Sequence, residues 1–193
     1  MNKRICVFGS YKNLGKRKRE EIIKLGRLLA KNGFEVVSGG FGGTMEDISK
    51  GAKEAGGKTI GVTYYKRIDG PSKKPNPYID EEIRTDTIFK RIEAMMEKSD
   101  AFIVLEGGTG TLLELAACLE YINKGLMKPK PIIALGSFWK VIADTLAREE
   151  VLSKEAAAIL SAKTCRDLII FSNKIEDVVK ILIDSLATIS NKQ

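Results

Sequence analysis

The feature that most constrains this chain is an alternation that runs its whole length. Short apolar runs rich in β-branched residues are separated by segments with helical spacing. Residues 4–8 (RICVF), 34–37 (FEVV), 59–62 (TIGV), 101–105 (AFIVL), 131–135 (PIIAL) and 168–171 (LIIF) read as buried strands, and a short strand is expected at 82–84. Between them, Ile22, Leu25 and Leu29 share one helical stripe, Met45, Ile48, Ala52 and Ala55 a second, and Leu112, Leu115, Leu119 and Ile122 a third. Runs apolar on both faces, joined by amphipathic helices, demand a parallel sheet covered on both sides. The predicted fold is therefore α/β: a Rossmann-like three-layer αβα sandwich with a mostly parallel sheet.

Length fits one such domain. At about 150 residues per domain, the 193-residue chain is expected to form a single Rossmann-like nucleotide-binding domain over 1–189, with a frayed tail at 190–193. The stretch 64–78, with Gly70, Pro71, Pro75 and Pro77 among Lys66, Arg67, Lys73 and Lys74, reads as a basic loop. No apolar run approaches the roughly 20 residues that cross a bilayer. The MNKR start runs into Gly9 too soon for a signal peptide, so a cytoplasmic protein without membrane partners is expected. Cys6, Cys118 and Cys165 are widely spaced and suit buried thiols in a reducing compartment.

Composition excludes more than it suggests. The chain has no histidine, which removes Ser-His-Asp triads, Cys-His dyads and His-ligated metal sites. The net charge of +7 suits phosphate-bearing substrates, nucleic acid or simply a solvated surface. A nucleic-acid reading would rest on Lys12, the run Lys16, Arg17, Lys18 and Arg19, and the basic loop. It is set aside because neither interleaved aromatics nor a reading helix accompanies them.

Three strand ends run into glycine and then into a helix: Gly9 with Ser10, the run Gly39, Gly40, Phe41, Gly42 and Gly43, and the run Gly107, Gly108, Thr109, Gly110 and Thr111. In parallel sheets, ligands sit at the carboxyl ends of strands, where helix N-termini offer N–H groups to anions. Three such loops favour a nucleotide or sugar-phosphate site over plain tight turns. Known fingerprints do not fit. Five residues separate Gly9 from Gly15-Lys16 where a Walker loop has four, Arg17 replaces its Ser or Thr, and no GxGxxG opens a helix. Neither a dinucleotide cofactor nor an ATPase is supported.

Two side chains beside these loops could carry chemistry. Glu114 follows Thr111 by three, so it is expected in the first helical turn, where Thr-Leu-Leu-Glu is equally a capping box. Arg91 falls beside an apolar stripe, where a charge is costly unless paired. The two could meet over the glycine loop, with the carboxylate activating water and the arginine holding charge.

These residues resemble a family. FIVLEGGTGTLLE, residues 102–114, looks like the PGGxGTxxE motif of the LONELY GUY (LOG) proteins. These are cytokinin riboside 5′-monophosphate phosphoribohydrolases, long labelled possible lysine decarboxylases. ICVFGS and SGGFGGTMEDISKGAKEAGG are similar to other family segments, and Arg91 falls where the family places its functional arginine. The resemblance covers roughly 3–135. Glu106 stands in place of the motif's proline, Ile92 in place of a common lysine, and Leu113 in place of the first glutamate of a frequent LEEL ending.

The resemblance implies a homodimer or higher homo-oligomer that needs no cofactor or metal and hydrolyses nucleoside 5′-monophosphates to free base and ribose 5-phosphate. Glu114 and Arg91 would be catalytic. Gly107, Gly108, Thr109, Gly110 and Thr111 would cradle the phosphate, with Gly9, Ser10, Gly39, Gly40 and Gly43 shaping the opposing wall. Tyr64, Tyr65 and Tyr78 could stack on the base or anchor the loop. The alternative is a non-catalytic nucleotide or cofactor binder, as molybdenum cofactor carriers of this fold are. Lysine decarboxylation has no support, because nothing marks one lysine for a Schiff base.

Overall fold

Residues that are apolar on both faces fold here as strands, close to where their sequences predict them. The computed structural model describes residues 2–64 and 74–192, so the basic loop lies largely outside the described residues. The chain divides into two compact units, Met1–Ser99 and Asp100–Gln193.

The first unit holds β1 (Arg4–Phe8), α1 (Lys16–Lys31), β2 (Glu35–Ser38), α2 (Thr44–Glu54), β3 (Thr59–Tyr64), β4 (Glu81–Thr85) and α3 (Ile88–Glu97). Its strands pair in parallel, with Ile5 opposite Val36, Val37 opposite Ile60 and Val62 opposite Ile83. Four of the five residues of β1 are buried, whereas β4 is largely exposed. Helix α1 buries Ile22, Leu25 and Leu29, and α2 buries Met45, Ile48 and Ala52, as their spacing predicts. Ala55 falls just beyond α2 at its C-cap. Burying one such leucine or isoleucine contributes about 1.5–3 kcal/mol. The two helices cross backbone to backbone: a methyl at Gly26 would meet the carbonyl oxygen of Ile48, and one at Gly51 would meet that of Ile23.

The second unit holds β5 (Ala101–Val104), α4 (Thr109–Asn123), β6 (Ile132–Leu135), α5 (Lys140–Thr145), α6 (Lys154–Leu160), β7 (Ile169–Ser172) and α7 (Ile175–Lys192), with short 3₁₀ turns at Leu146–Arg148 and Cys165–Leu168. Its strands are also parallel, with Ile103 opposite Ile133 and Ile133 opposite Ile170. Helix α7 includes residues 190–192. The fold is α/β and Rossmann-like, with parallel strands throughout, as the alternation predicts. Among the described residues, no helix is long and apolar enough to cross a membrane.

Candidate functional site

In the first unit the expected site residues gather at the ends of β1, β2 and β3. Gly9 and Ser10 follow β1; Gly9 is half-buried and Ser10 buried. The carbonyl oxygen of Ser10 accepts the backbone N–H of Thr44 at 2.9 Å and its hydroxyl at 3.0 Å, tying this turn to the start of α2. Gly43 caps α2 at φ +68°, and a methyl there would run into the backbone of Ser10 and Tyr11. Gly40 also has positive φ, +74°, and lies against Thr63 and Gly61. These conformations are open to glycine and strained for other residues.

Gly39 serves a different purpose. A methyl there would collide with the guanidinium of Arg91 and the Met45 sulfur, so this glycine makes room for the arginine. Arg91, on α3, is only 6% exposed. Its Nε donates to the Val62 carbonyl at 2.7 Å. Its Cζ stands 5.7 Å from the Phe41 ring centroid and 5.8 Å from that of Tyr64. The two rings meet edge to face at 5.4 Å. A buried cation held by a carbonyl and two aromatic faces recovers part of what it loses on leaving water.

In the second unit the glycine turn is built otherwise. Gly107 leaves no room for a methyl because the Thr111 side chain lies beneath it, but nothing stands within 4 Å of where a methyl would project from Gly108 or Gly110. Gly108, Thr109 and Gly110 are exposed. Helix α4 starts at Thr109 with Gly108 as N-cap, without a side-chain cap and without an acidic residue in its first turn. An uncapped N-terminus lacking its own carboxylates can take an external anion. Behind the turn, the indole Nε1 of Trp139 donates to the Leu105 carbonyl at 2.8 Å and pins the strand end.

The position of Glu114 corrects an expectation. The helix begins two residues before Thr111, so Thr111 lies within the first turn and Glu114 in the second, where a Thr111–Glu114 capping box cannot form. Glu114 is 7% exposed, on the buried side of α4 with Thr111, Leu115 and Cys118. Burial pushes the Cys118 thiol up, and the charge of Glu114 one turn away pushes it further. Burial and the nearby Glu149 hold Cys165 up at about 11. All three cysteines are buried free thiols. No group of His, Cys, Asp or Glu among the described residues could hold a metal ion.

Thus the structure brings Arg91 together with Gly39 and Gly40 in one unit, and sets Glu114 behind the Gly107–Thr111 turn in the other. Phe41, Asn76 and Trp139 escape the sequence reading. Phe41 is the one bulky side chain in its glycine run, which is a usable signal. Asn76 donates its backbone N–H to the Gly40 carbonyl at 2.8 Å and its side-chain Nδ2 to the Phe41 carbonyl at 2.9 Å, contacts that no local pattern announces.

Comparison with known proteins adds to this geometry. A family model, the SLOG cluster4 family, matches residues 2–169. The chain is 30% identical over 193 residues to the cytokinin riboside 5′-monophosphate phosphoribohydrolase LOG1 of Arabidopsis thaliana, covering 92% of this chain and 84% of that protein. It is 29% identical over 184 residues to the LOG enzyme of the same description from Oryza sativa subsp. japonica, covering 92% and 74%. Among solved structures it is similar to the molybdenum cofactor binding protein of the phototrophic bacterium Rippkaea orientalis. That match has a TM-score of 0.69 and 25% identity, over 97% of this chain and 98% of the other.

Proposed function

The chain belongs to the SLOG cluster4 family and is a LOG protein, and from that premise we propose that it hydrolyses AMP-like nucleoside 5′-monophosphates to free base and ribose 5-phosphate. The observation that carries this reading is Glu114: a carboxylate only 7% exposed, in the second turn of α4 behind an exposed glycine turn. The backbone N–H groups of Gly108, Thr109, Gly110 and Thr111 hold the 5′-phosphate, as helix N-termini do. Glu114 takes a proton from water as the oxygen adds to C1′. The C1′–N bond breaks with its electron pair going to the base, which takes up one proton, and the proton held by Glu114 is given up so that water is divided between ribose C1′ and the base. The transition state has oxocarbenium character, which a carboxylate stabilises. Arg91 orients the substrate and offsets developing negative charge, with Gly9, Ser10, Gly39, Gly40 and Gly43 shaping its surroundings.

The test is release of free base from AMP and from N6-isopentenyl AMP, followed by HPLC. Glu114→Gln is expected to lower kcat by roughly 10²–10⁴-fold, the range for a lost general base, while nucleotide still binds. A second reading, a non-catalytic binder, is favoured by the near full-length match to the Rippkaea orientalis cofactor-binding protein. Nucleotide binding without base release in the unmodified protein would establish it instead.

A further inference from the structure

Asn76 lies shortly before β4 and is 7% exposed. Its polar groups are committed. The backbone N–H donates to the Gly40 carbonyl at 2.8 Å, Nδ2 donates to the Phe41 carbonyl at 2.9 Å, and Oδ1 accepts the Tyr78 N–H at 3.1 Å. The Tyr78 N–H can only donate, so it fixes which end of the amide is oxygen and leaves the nitrogen facing Phe41. Two successive carbonyls of the glycine turn are therefore gripped by one residue from a distant part of the chain. The second of them belongs to Phe41, whose ring packs on Arg91 and against Tyr64.

From this chain of contacts we infer that Asn76 is a positioning residue for Arg91. By clamping the Gly40 and Phe41 carbonyls, it sets the Phe41 ring as one wall of the arginine's cage. Val62 and Tyr64, both of β3, hold the guanidinium by its Nε and by a ring, and the Met45 sulfur of α2 lies 3.8 Å from a terminal nitrogen. The Phe41 side is a four-glycine run bonded through the Gly40 N–H to the Ser38 hydroxyl at 3.2 Å, and its Gly40 and Phe41 carbonyls meet Asn76. Asn76 ties it. The inference rests on the proposed function only where it says what Arg91 is positioned for.

The experiment uses Asn76→Ala and Asn76→Asp in the full chain. The aspartate keeps the acceptor for Tyr78 and replaces the donor to Phe41 with an oxygen. The first readout is the side-chain Nε–H resonance of Arg91 in a ¹⁵N spectrum, assigned by its disappearance in Arg91→Lys. It is expected to move or broaden in both variants, because the ring over the guanidinium is displaced. The second readout is base release from AMP: kcat is expected to fall about tenfold with KM within about twofold. In an Arg91→Ala background, Asn76→Ala is expected to cost nothing further, since residues acting through one another are non-additive.

An unchanged Arg91 resonance overturns the inference, as does full additivity of the two substitutions. A shifted resonance with undiminished base release also overturns it. A shifted resonance in a protein that releases no base even when unmodified leaves the positioning role standing and sinks the hydrolase reading instead. Thermal midpoints separate all of these from simple unfolding, and Asn76→Asp covers the case in which the alanine variant fails to fold.

Discussion

The two glycine turns look alike in sequence and do opposite physical work. In the turn 39–43, glycine is required from within: Gly39 yields its side-chain volume to Arg91, and Gly43 takes a conformation and a closeness to Ser10 that other residues resist. The helix that follows answers its own positive end with Glu46 and Asp47, and Asp47 is further paired with Arg19 at 3.1 Å. In the turn 107–111, Gly108 and Gly110 face open space, and α4 has no acidic residue in its first turn. A run of glycines is thus ambiguous by itself. What separates a turn that holds a protein side chain from one that can hold a ligand is what fills the missing Cβ and what already neutralises the helix behind it. By that measure the first turn is a mount for Arg91, and the second is open and uncompensated, the condition the proposed phosphate site requires.

Substituting one glycine in each turn separates these roles. Gly39→Ala has the larger effect: its methyl displaces the guanidinium and the Met45 sulfur, both far ends of flexible side chains, so the loss falls on activity more than on folding. Base release from AMP should drop about 100-fold, on the order of 2.7 kcal/mol in transition-state stabilisation. Gly108→Ala should do the reverse. Its methyl enters empty space, and the folding change stays within about 1 kcal/mol, the scale of N-cap substitutions. Yet it occupies the room a phosphate would need, so ribose 5-phosphate should bind about tenfold more weakly by calorimetry. Equal binding by Gly108→Ala and the parent protein would remove the distinction between the turns.

Much of the fold was legible because burial on both faces leaves a run with no polar member to misplace. The bounds of β1 read from RICVF coincide with the observed strand, and the polar strand near 82–84 appears as β4 at Glu81–Thr85. The short helices α5 and α6, with six and seven residues, were not legible: each buries at most two side chains, too few to write a stripe into the sequence. The site was legible where chemistry is local. Glu114 and the glycines stand out by type and spacing. The helix start did not, since Thr-x-x-Glu imitates a capping box while the chain actually begins the helix on glycine without side-chain help. The cage around Arg91 was invisible for a different reason. Phe41, Tyr64 and Asn76 come from separate segments, and only folding makes them neighbours.

The smallest expected effect concerns acid, and it separates the two turns by their supports. The segment whose Asn76 holds the first turn is anchored further on by Asp80, which accepts from the Thr59 backbone at 2.9 Å and pairs with Lys53. Partial burial opposes the charge of Asp80, but the bonds from Lys53 and Thr59 outweigh it and hold the carboxyl below its ordinary value. A folded pKa lowered below the unfolded one means that the stabilisation is fully present above the unfolded value, about 3.9. It is lost as pH falls through the folded value. The second turn is pinned by the Trp139 indole, which does not titrate in this range. Hydrogen exchange across residues 40–43 should therefore accelerate relative to residues 107–111 as pH is lowered below about 4, once intrinsic rates are divided out. Asp80→Asn should erase that differential by raising exchange across residues 40–43 at neutral pH toward the level the parent protein reaches in acid. Parallel acceleration of both turns would mean that acid loosens them through some support they share, and that Asp80 is not what keeps the first turn closed around Arg91.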